Sequence, residues 1–512
     1  MSTQTIEPLP EAASGARGER RRVMGVVDVT LFTVSAMLVV ETLTASAAIG
    51  PKTIAWWILA IVLFLIPYGL ITAELATTYP TQGGIYVWVK KALGARWAAR
   101  TTYWYWVNVA LWMPSVFLLF AGVFFQLFGH HWAEWPTGKW PQVLMAVALV
   151  WMVVGVGVMR LEIGKWVNDV GAILKVIIIF SLGVGGIVLA IKHGAANTIN
   201  GSSFLPSFGV AKNFLPVIVF LMLGFELISS MAGEVKEPEK RIPRAILTSG
   251  AVIAFLYLFA TIGILLALSL SKLSLVEGLV ATFRAIFGSK GLGEVAVYAL
   301  GIAALYTFFT NMTTWTMGAN RSAVEAAAEG ELPKILAREH PTRRTPVGAL
   351  VSTGVISTGV LLVTALFINN QDSLFFAIFA ASSVIFLLPY LLMFPAVAIL
   401  RYKDPDRHRP FRIPGGDRAV IAMSVITCVI IAAGVVLFLW PEIPAAPKEW
   451  SYTGPLLGIV GVALAAGEVM LWRMSHPRHP KATATTQAPA TPPAQPMATG
   501  QPATLSVGRP LP

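Results

Sequence analysis

The chain has 512 residues, of which 56% are hydrophobic and 12% charged, with a formal net charge of +12. So little polar character cannot cover a water-soluble globule of this size, which leaves a polytopic membrane protein. Apolar runs of about 20 residues also exclude a transmembrane barrel, whose strands are about 10 residues long and alternate polar with apolar.

In chain order, a basic tail (1–24) leads into a transmembrane region (25–475), followed by a Pro, Ala and Thr rich tail (476–512) that reads as disordered and cytoplasmic. Twelve helical spans are predicted, at about 26–48, 55–77, 102–128, 141–159, 166–191, 214–232, 245–270, 293–317, 347–368, 373–399, 418–439 and 455–474. The first 22 residues are polar and run straight into a full-length span, so that span is expected to direct insertion. Lys and Arg gather in the N-terminal tail (Arg17, Arg20, Arg21, Arg22) and after even-numbered spans, as in Lys90, Lys91, Arg96 and Arg100 after span 2. This bias predicts a multi-pass protein of the cytoplasmic membrane with both termini cytoplasmic. It also assigns the positive charge to an anionic inner leaflet, with no need for nucleic acid.

The single cysteine, Cys428, lies in span 11, so no internal disulfide and no cysteine-rich metal site is expected. The Gly-x-Gly at 155–157 precedes no strand-turn-helix and is packing, so no cofactor is expected either. An intramembrane enzyme would need a nucleophile with a base, or a metal cluster, within the spans. A channel would show a repeated pore loop. Neither pattern is visible, which leaves transport.

Two acids interrupt the apolar text: Glu41 in "SAMLVVETLTASAAIG" and Glu226 in "VIVFLMLGFELISSMAGEV". A charged carboxylate near mid-bilayer is costly and must be partnered, protonated or turned toward the bundle interior. Both acids sit among small residues, in spans 1 and 6, which enter from opposite sides of the membrane. A five-plus-five inverted repeat with two appended helices predicts that arrangement.

Three blocks carry a family resemblance: "ITAELATTYPTQGGIYVWVKKALG" (71–94), "GFELISSMAGEVKEPEKRIPRAI" (224–246) and "ANRSAVEAAAEGELPKIL" (319–336). Their order and topology resemble the amino acid–polyamine–organocation (APC) superfamily over about residues 24 to 474. "FLIPYGLITAELAT" is most similar to the branch holding the bacterial glutamate/γ-aminobutyrate antiporter. The resemblance implies an all-α, leucine-transporter-type fold and a secondary active transporter working by alternating access. Its substrate is then a small zwitterionic amino acid bound between spans 1, 3, 6 and 8, with proton coupling or obligatory antiport both open. A polyamine or amine transporter of the same fold is an alternative. So is a sodium-coupled symporter, whose oxygen cage would draw on Ser35, Thr310, Thr313 and Thr314.

Within that frame Glu226 is the proton-coupling candidate; the rival reading is a neutral side chain that holds span 6 in a broken shape around Gly224. Glu41 meets either the substrate ammonium or a wetted outer vestibule. Ser35, Ala36, Met37 and Leu38 stand where span 1 is expected to unwind, although the family's Gly-x-Gly is missing there. Gly224 and Phe225 flank the span 6 break. Trp315, fourteen residues before Glu329, has the spacing of a substrate-lining Trp in the superfamily's arginine/agmatine antiporter, and Phe220 stands where that protein has a gating Trp. Asn108 and Trp112, four apart in span 3, share a helix face and are candidates for the same site. No Lys or Arg lies near the centre of spans 1, 3, 6 or 8, which favours neutral, zwitterionic or protonated substrates over dianions. Glu74 is read as shaping the end of span 2 and Asp169 as a capping residue near the start of span 5. His130 and His131, beside Trp132 and Trp135, are read as an interfacial belt.

Overall fold

A computed structural model describes residues 24–40, 43–80, 83–129, 138–159, 161–209, 211–273, 278–343, 345–439 and 450–475. The chain divides after Met474 into a helical unit and the segment Ser475–Pro512, of which only Ser475 is described. The helices run α1 (Val26–Met37), α2 (Leu43–Ala47), α3 (Thr53–Ala60), a π turn (Ile61–Leu65), α4 (Ile66–Thr78), α5 (Ile85–Leu93), α6 (Ala95–Phe128), α7 (Lys139–Val158), α8 (Leu161–His193) and α9 (Ala211–Leu221). A 3₁₀ segment (Phe225–Glu234) follows. Then come α10 (Pro238–Ala267), α11 (Gly278–Phe287), α12 (Leu292–Ala328), α13 (Val347–Phe367), α14 (Gln371–Lys403), α15 (Gly416–Leu439) and α16 (Trp450–Ser475).

Among the described residues, ten helices are long and apolar enough to cross a membrane. The other two predicted spans are each broken. Span 1 is α1 followed by α2, and span 6 is α9 followed by the 3₁₀ segment. In a low-dielectric interior every released backbone group needs a partner, so helices break only where side chains or cavities supply one.

The α1 break shows how this is done. The helix continues through Met37 and stops at Leu38, so the expectation that 35–38 unwind is corrected: Ser35, Ala36 and Met37 are helical. The last carbonyls of a helix have no partner within it. Here Lys175 of α8 donates to the Ser35 carbonyl. Trp315 of α12 donates to that of Ala36 at 2.9 Å, and Tyr257 of α10 donates to that of Met37. Three neighbouring helices therefore cap α1 at this point, which is why it ends there.

The α9 break uses a different device. Gly224 has φ +132°, a left-handed conformation that side chains resist, and a Cβ there would lie 2.9 Å from Met37 Cγ. A single Tyr68 hydroxyl on α4 accepts from the amides of Gly224 (2.9 Å) and Phe225 (2.8 Å). The starts and ends of the two broken spans are tied as well, because Lys236 N–H donates to the Met24 carbonyl at 3.1 Å.

Two short helices, α5 and α11, lie outside the twelve predicted spans; at 9 and 10 residues they are too short to cross. The α8 helix starts at Leu161, so Asp169 sits two turns inside it and is not in its first turn. Against α10, α8 packs through glycines: a Cβ on Gly263 would lie 2.2 Å from the Leu182 carbonyl oxygen. Small residues let backbones approach this closely where apolar burial supplies no drive between helices.

Candidate substrate site

The two breaks face α6, α12 and α14 at the centre of the bundle, and an aromatic box lies between them. On α6, Tyr105, Asn108 and Trp112 fall three and four residues apart and therefore on one face. Trp315 is fixed by its bond to the Ala36 carbonyl and meets Trp112 edge-on, with centroids 5.6 Å apart. Phe386 of α14 closes the box, 5.1 Å from Trp315 and 5.5 Å from Phe220. Phe220, from the last turns of α9, lies 5.4 Å from Trp112.

Glu226 forms the next layer, toward the end of the bundle that holds Glu74 and Arg401. Its carboxylate accepts hydrogen bonds from Tyr105 (2.8 Å), Tyr390 (2.7 Å) and Tyr68. Those hydroxyls come from α6, α14 and α4. Because Tyr68 also accepts the two amides of the α9 break, the carboxylate and the break form one hydrogen-bonded unit. The box and this layer are contiguous: Tyr105 touches Trp315 at 6.3 Å and Tyr390 touches Phe386 at 5.3 Å.

Several polar groups facing this region have no protein partner. Both ends of the Asn108 amide and the indole N–H of Trp112 are buried without a hydrogen bond, as is the Ser35 hydroxyl. Tyr105 and Trp112 both touch Trp315, and Asn108 lies between them on the same face of α6. An unmet buried amide is expensive, which makes it a natural contact for a solute.

Seven of the expected residues therefore converge: Met37, Asn108, Trp112, Phe220, Gly224, Glu226 and Trp315. Ser35 and Ala36 reach the region through their carbonyls. Phe225 does not join the box; its ring fits between α4 and α10, where a Cβ on Gly250 would lie 3.0 Å from its Cζ. Glu41 lies outside the described residues, as do His130, His131, Trp132 and Trp135.

Reasoning from sequence missed Lys175. Its ammonium is fully buried and donates to the Ser35 carbonyl and, at 3.0 Å, to Asn311 Oδ1 on α12. The reading that no Lys or Arg lies near the centre of spans 1, 3, 6 or 8 did not take in this side chain, which reaches the first break from span 5. A lone Lys in "GAILKVIIIFS" was as visible as the two acids. Tyr68, Tyr105, Tyr390 and Phe386 carried no such signal, since aromatic residues are common throughout the spans.

Comparison with known proteins agrees with this architecture. Residues 24–463 match the amino acid permease family model. A probable agmatine/putrescine antiporter of Lactococcus lactis subsp. lactis is 34% identical over 446 residues, covering 86% of this chain and 93% of that one. The glutamate/γ-aminobutyrate antiporter of the same organism is 26% identical over 367 residues, covering 69% and 71%. The crystal structure of MhsT in complex with L-phenylalanine superimposes with a TM-score of 0.56 at 15% identity, over 82% of this chain and 99% of that one, and shows a shared leucine-transporter-type fold. The chain thus belongs to the amino acid permease family of the APC superfamily and is a multi-pass membrane transporter.

Proposed function

We propose that this transporter exchanges small amines derived from amino acids, by alternating access around the aromatic box. One observation carries the reading: the box sits next to the layer that holds a carboxylate, while six backbone amides at the breaks, those of Leu38, Val39 and Met222 to Phe225, are already engaged. The N–H of Leu38 donates to Val34, that of Val39 to Tyr257, those of Met222 and Leu223 to Val219 and Phe220, and those of Gly224 and Phe225 to Tyr68. These six donors are thereby unavailable to a substrate carboxylate. Aromatic faces and Glu226 attract an ammonium. The likeness to an agmatine/putrescine antiporter supports the same class.

A zwitterionic amino acid is the second reading. The unpartnered Asn108 Nδ2 and Trp112 Nε1 favour it, as they could donate to a carboxylate. Under either reading Glu226 is the proton-coupling candidate, and the Tyr68, Tyr105 and Tyr390 hydroxyls are placed to stabilise its charged form or to stand in for a departing proton. Lys175 supports sodium independence. Its ammonium already bridges spans 1 and 8, where a sodium ion would need oxygens from the same two helices. The Lys and Arg bias supports cytoplasmic termini, which would place the Glu226 layer on the cytoplasmic side of the box.

The test is exchange in proteoliposomes preloaded with putrescine, agmatine, γ-aminobutyrate or each common amino acid, with and without sodium and a pH gradient. The expected result is uptake stimulated by internal amine and indifferent to sodium. In Glu226→Gln, exchange without a gradient should persist while gradient-driven uptake is lost. Stimulation by amino acids alone would move the assignment to the zwitterion, and absence of stimulation by any internal solute would refute exchange.

A further inference from the structure

We propose that the slot between α6, α13 and α16 is a binding site for an anionic phospholipid, with an acyl chain lying along the back of the helix that carries Asn108 and Trp112. The slot is a cavity of about 770 Å³ with no charged residue in its lining. Val107 and Leu111 of α6 form one wall, Val360 and Val363 of α13 the second, and Ile459 and Val462 of α16 the third.

The slot is open because α16 is held to α6 mainly at one end. There the Tyr103 hydroxyl donates to the Ala463 carbonyl at 2.8 Å, and a Cβ on Gly467 would lie 2.4 Å from the Tyr103 ring. Arg100 grips Glu468 with two bonds, at 2.6 and 2.7 Å. Along the slot itself, a Cβ on Gly359 or on Gly458 would meet no atom within 4 Å. A gap of this kind forfeits dispersion contacts on all three walls.

Length and charge identify the occupant. From Ile356 to Phe367 the α13 wall spans twelve residues, eleven rises or about 16 Å, which is long enough for the greater part of one extended acyl chain. Beyond the clasped end, each outer wall continues into an exposed tryptophan beside an exposed arginine: Arg96 and Trp97 on α6, Trp472 and Arg473 on α16. Each tryptophan stands six residues past the slot, about 9 Å along its helix, at the level where aromatic side chains meet headgroups. Among the described residues at these ends of α6 and α16 the one acid, Glu468, is paired with Arg100, so the remaining charge there is positive and favours an anionic headgroup.

The test reconstitutes the full chain with a phospholipid carrying a diazirine in its acyl chain, then maps the cross-links by peptide mass spectrometry. Peptides covering 356–367 and 455–466 should be labelled several-fold more than the lipid-facing α15 residues Val425 and Val429. Unlabelled phosphatidylglycerol should compete several-fold better than phosphatidylcholine. The double variant Gly359→Leu with Gly458→Leu fills the slot and should lower its labelling to the α15 level while amine or amino acid exchange is retained. Arg96→Gln with Arg473→Gln should abolish the headgroup preference. Equal labelling of slot and α15, or equal competition by the two lipids in the wild-type chain, would overturn the proposal. So would α16-to-α16 cross-links between two copies occupying the slot.

Discussion

Asn108 is buried on every side and neither end of its amide is satisfied within the protein, so its substitution separates structure from binding. If it serves the solute, Asn108→Leu raises the KM for exchange by about tenfold, the equivalent of one lost hydrogen bond of roughly 1.4 kcal/mol. Thermal stability should hold or rise, because the variant removes an unmet polar group. Trp112→Phe keeps the ring against Trp315 while deleting the N–H, and is expected to discriminate against carboxylate-bearing substrates only. Concentration dependence of exchange, measured for one amine and one amino acid, checks both variants. Of the residues at this site, the sequence singled out those whose chemistry is anomalous in a membrane: Glu226 and Asn108 interrupt apolar text. The tyrosines around Glu226 were hidden because a Tyr is ordinary in a span, and only its partner reveals its use.

Between elements, the buried pair of Glu74 on α4 and Arg401 on α14 pins the loop that leads to α15. Arg401 binds both carboxylate oxygens, at 2.7 and 2.6 Å, and the Ile413 amide adds a third bond at 2.8 Å. Glu74→Gln removes the buried counter-charge of Arg401, and of Arg409 at 3.6 Å, leaving Arg401 only the exposed Asp417, and is expected to cost about 3 kcal/mol, read as a lower unfolding midpoint of the purified protein. Asp417 meets the same Arg401 from an exposed, solvent-screened position, so Asp417→Asn is expected to leave the unfolding midpoint nearly unchanged. Glu74 was read from sequence as a shaping residue at the end of span 2. Its partner, more than 300 residues away, could not be read. The break in span 1 was likewise foreseen in kind and misplaced in position, because the residues that cap it come from α8, α10 and α12.

At the scale of the whole molecule, Lys90 of α5 bonds to Glu329 and, at 2.9 Å, to Glu331, fastening the α4–α6 connection to the segment that follows α12. Partial burial opposes the Lys90 charge, but the hydrogen bonds to Glu329 and Glu331 outweigh it and hold its pKa above the ordinary lysine value. A raised folded pKa gives stability that is fully present below the unfolded value of about 10.4 and fades as pH rises through the folded one. The difference in unfolding midpoint between the wild-type chain and Lys90→Met should therefore stay flat from about pH 6 to 9 and shrink only above about pH 10. Melting curves across that range check it. The sequence by itself determined the membrane class, the positions of twelve spans, the two that break and the acid at the second break, because the bilayer imposes length and apolarity locally on each segment. Only the tertiary structure decided that Lys175 reaches the first break, that three tyrosines from three helices surround Glu226, and that α16 leaves an apolar slot against α6 and α13. Those features depend on which helix faces pack together, and helix-to-helix register between apolar surfaces leaves no periodic mark in the chain.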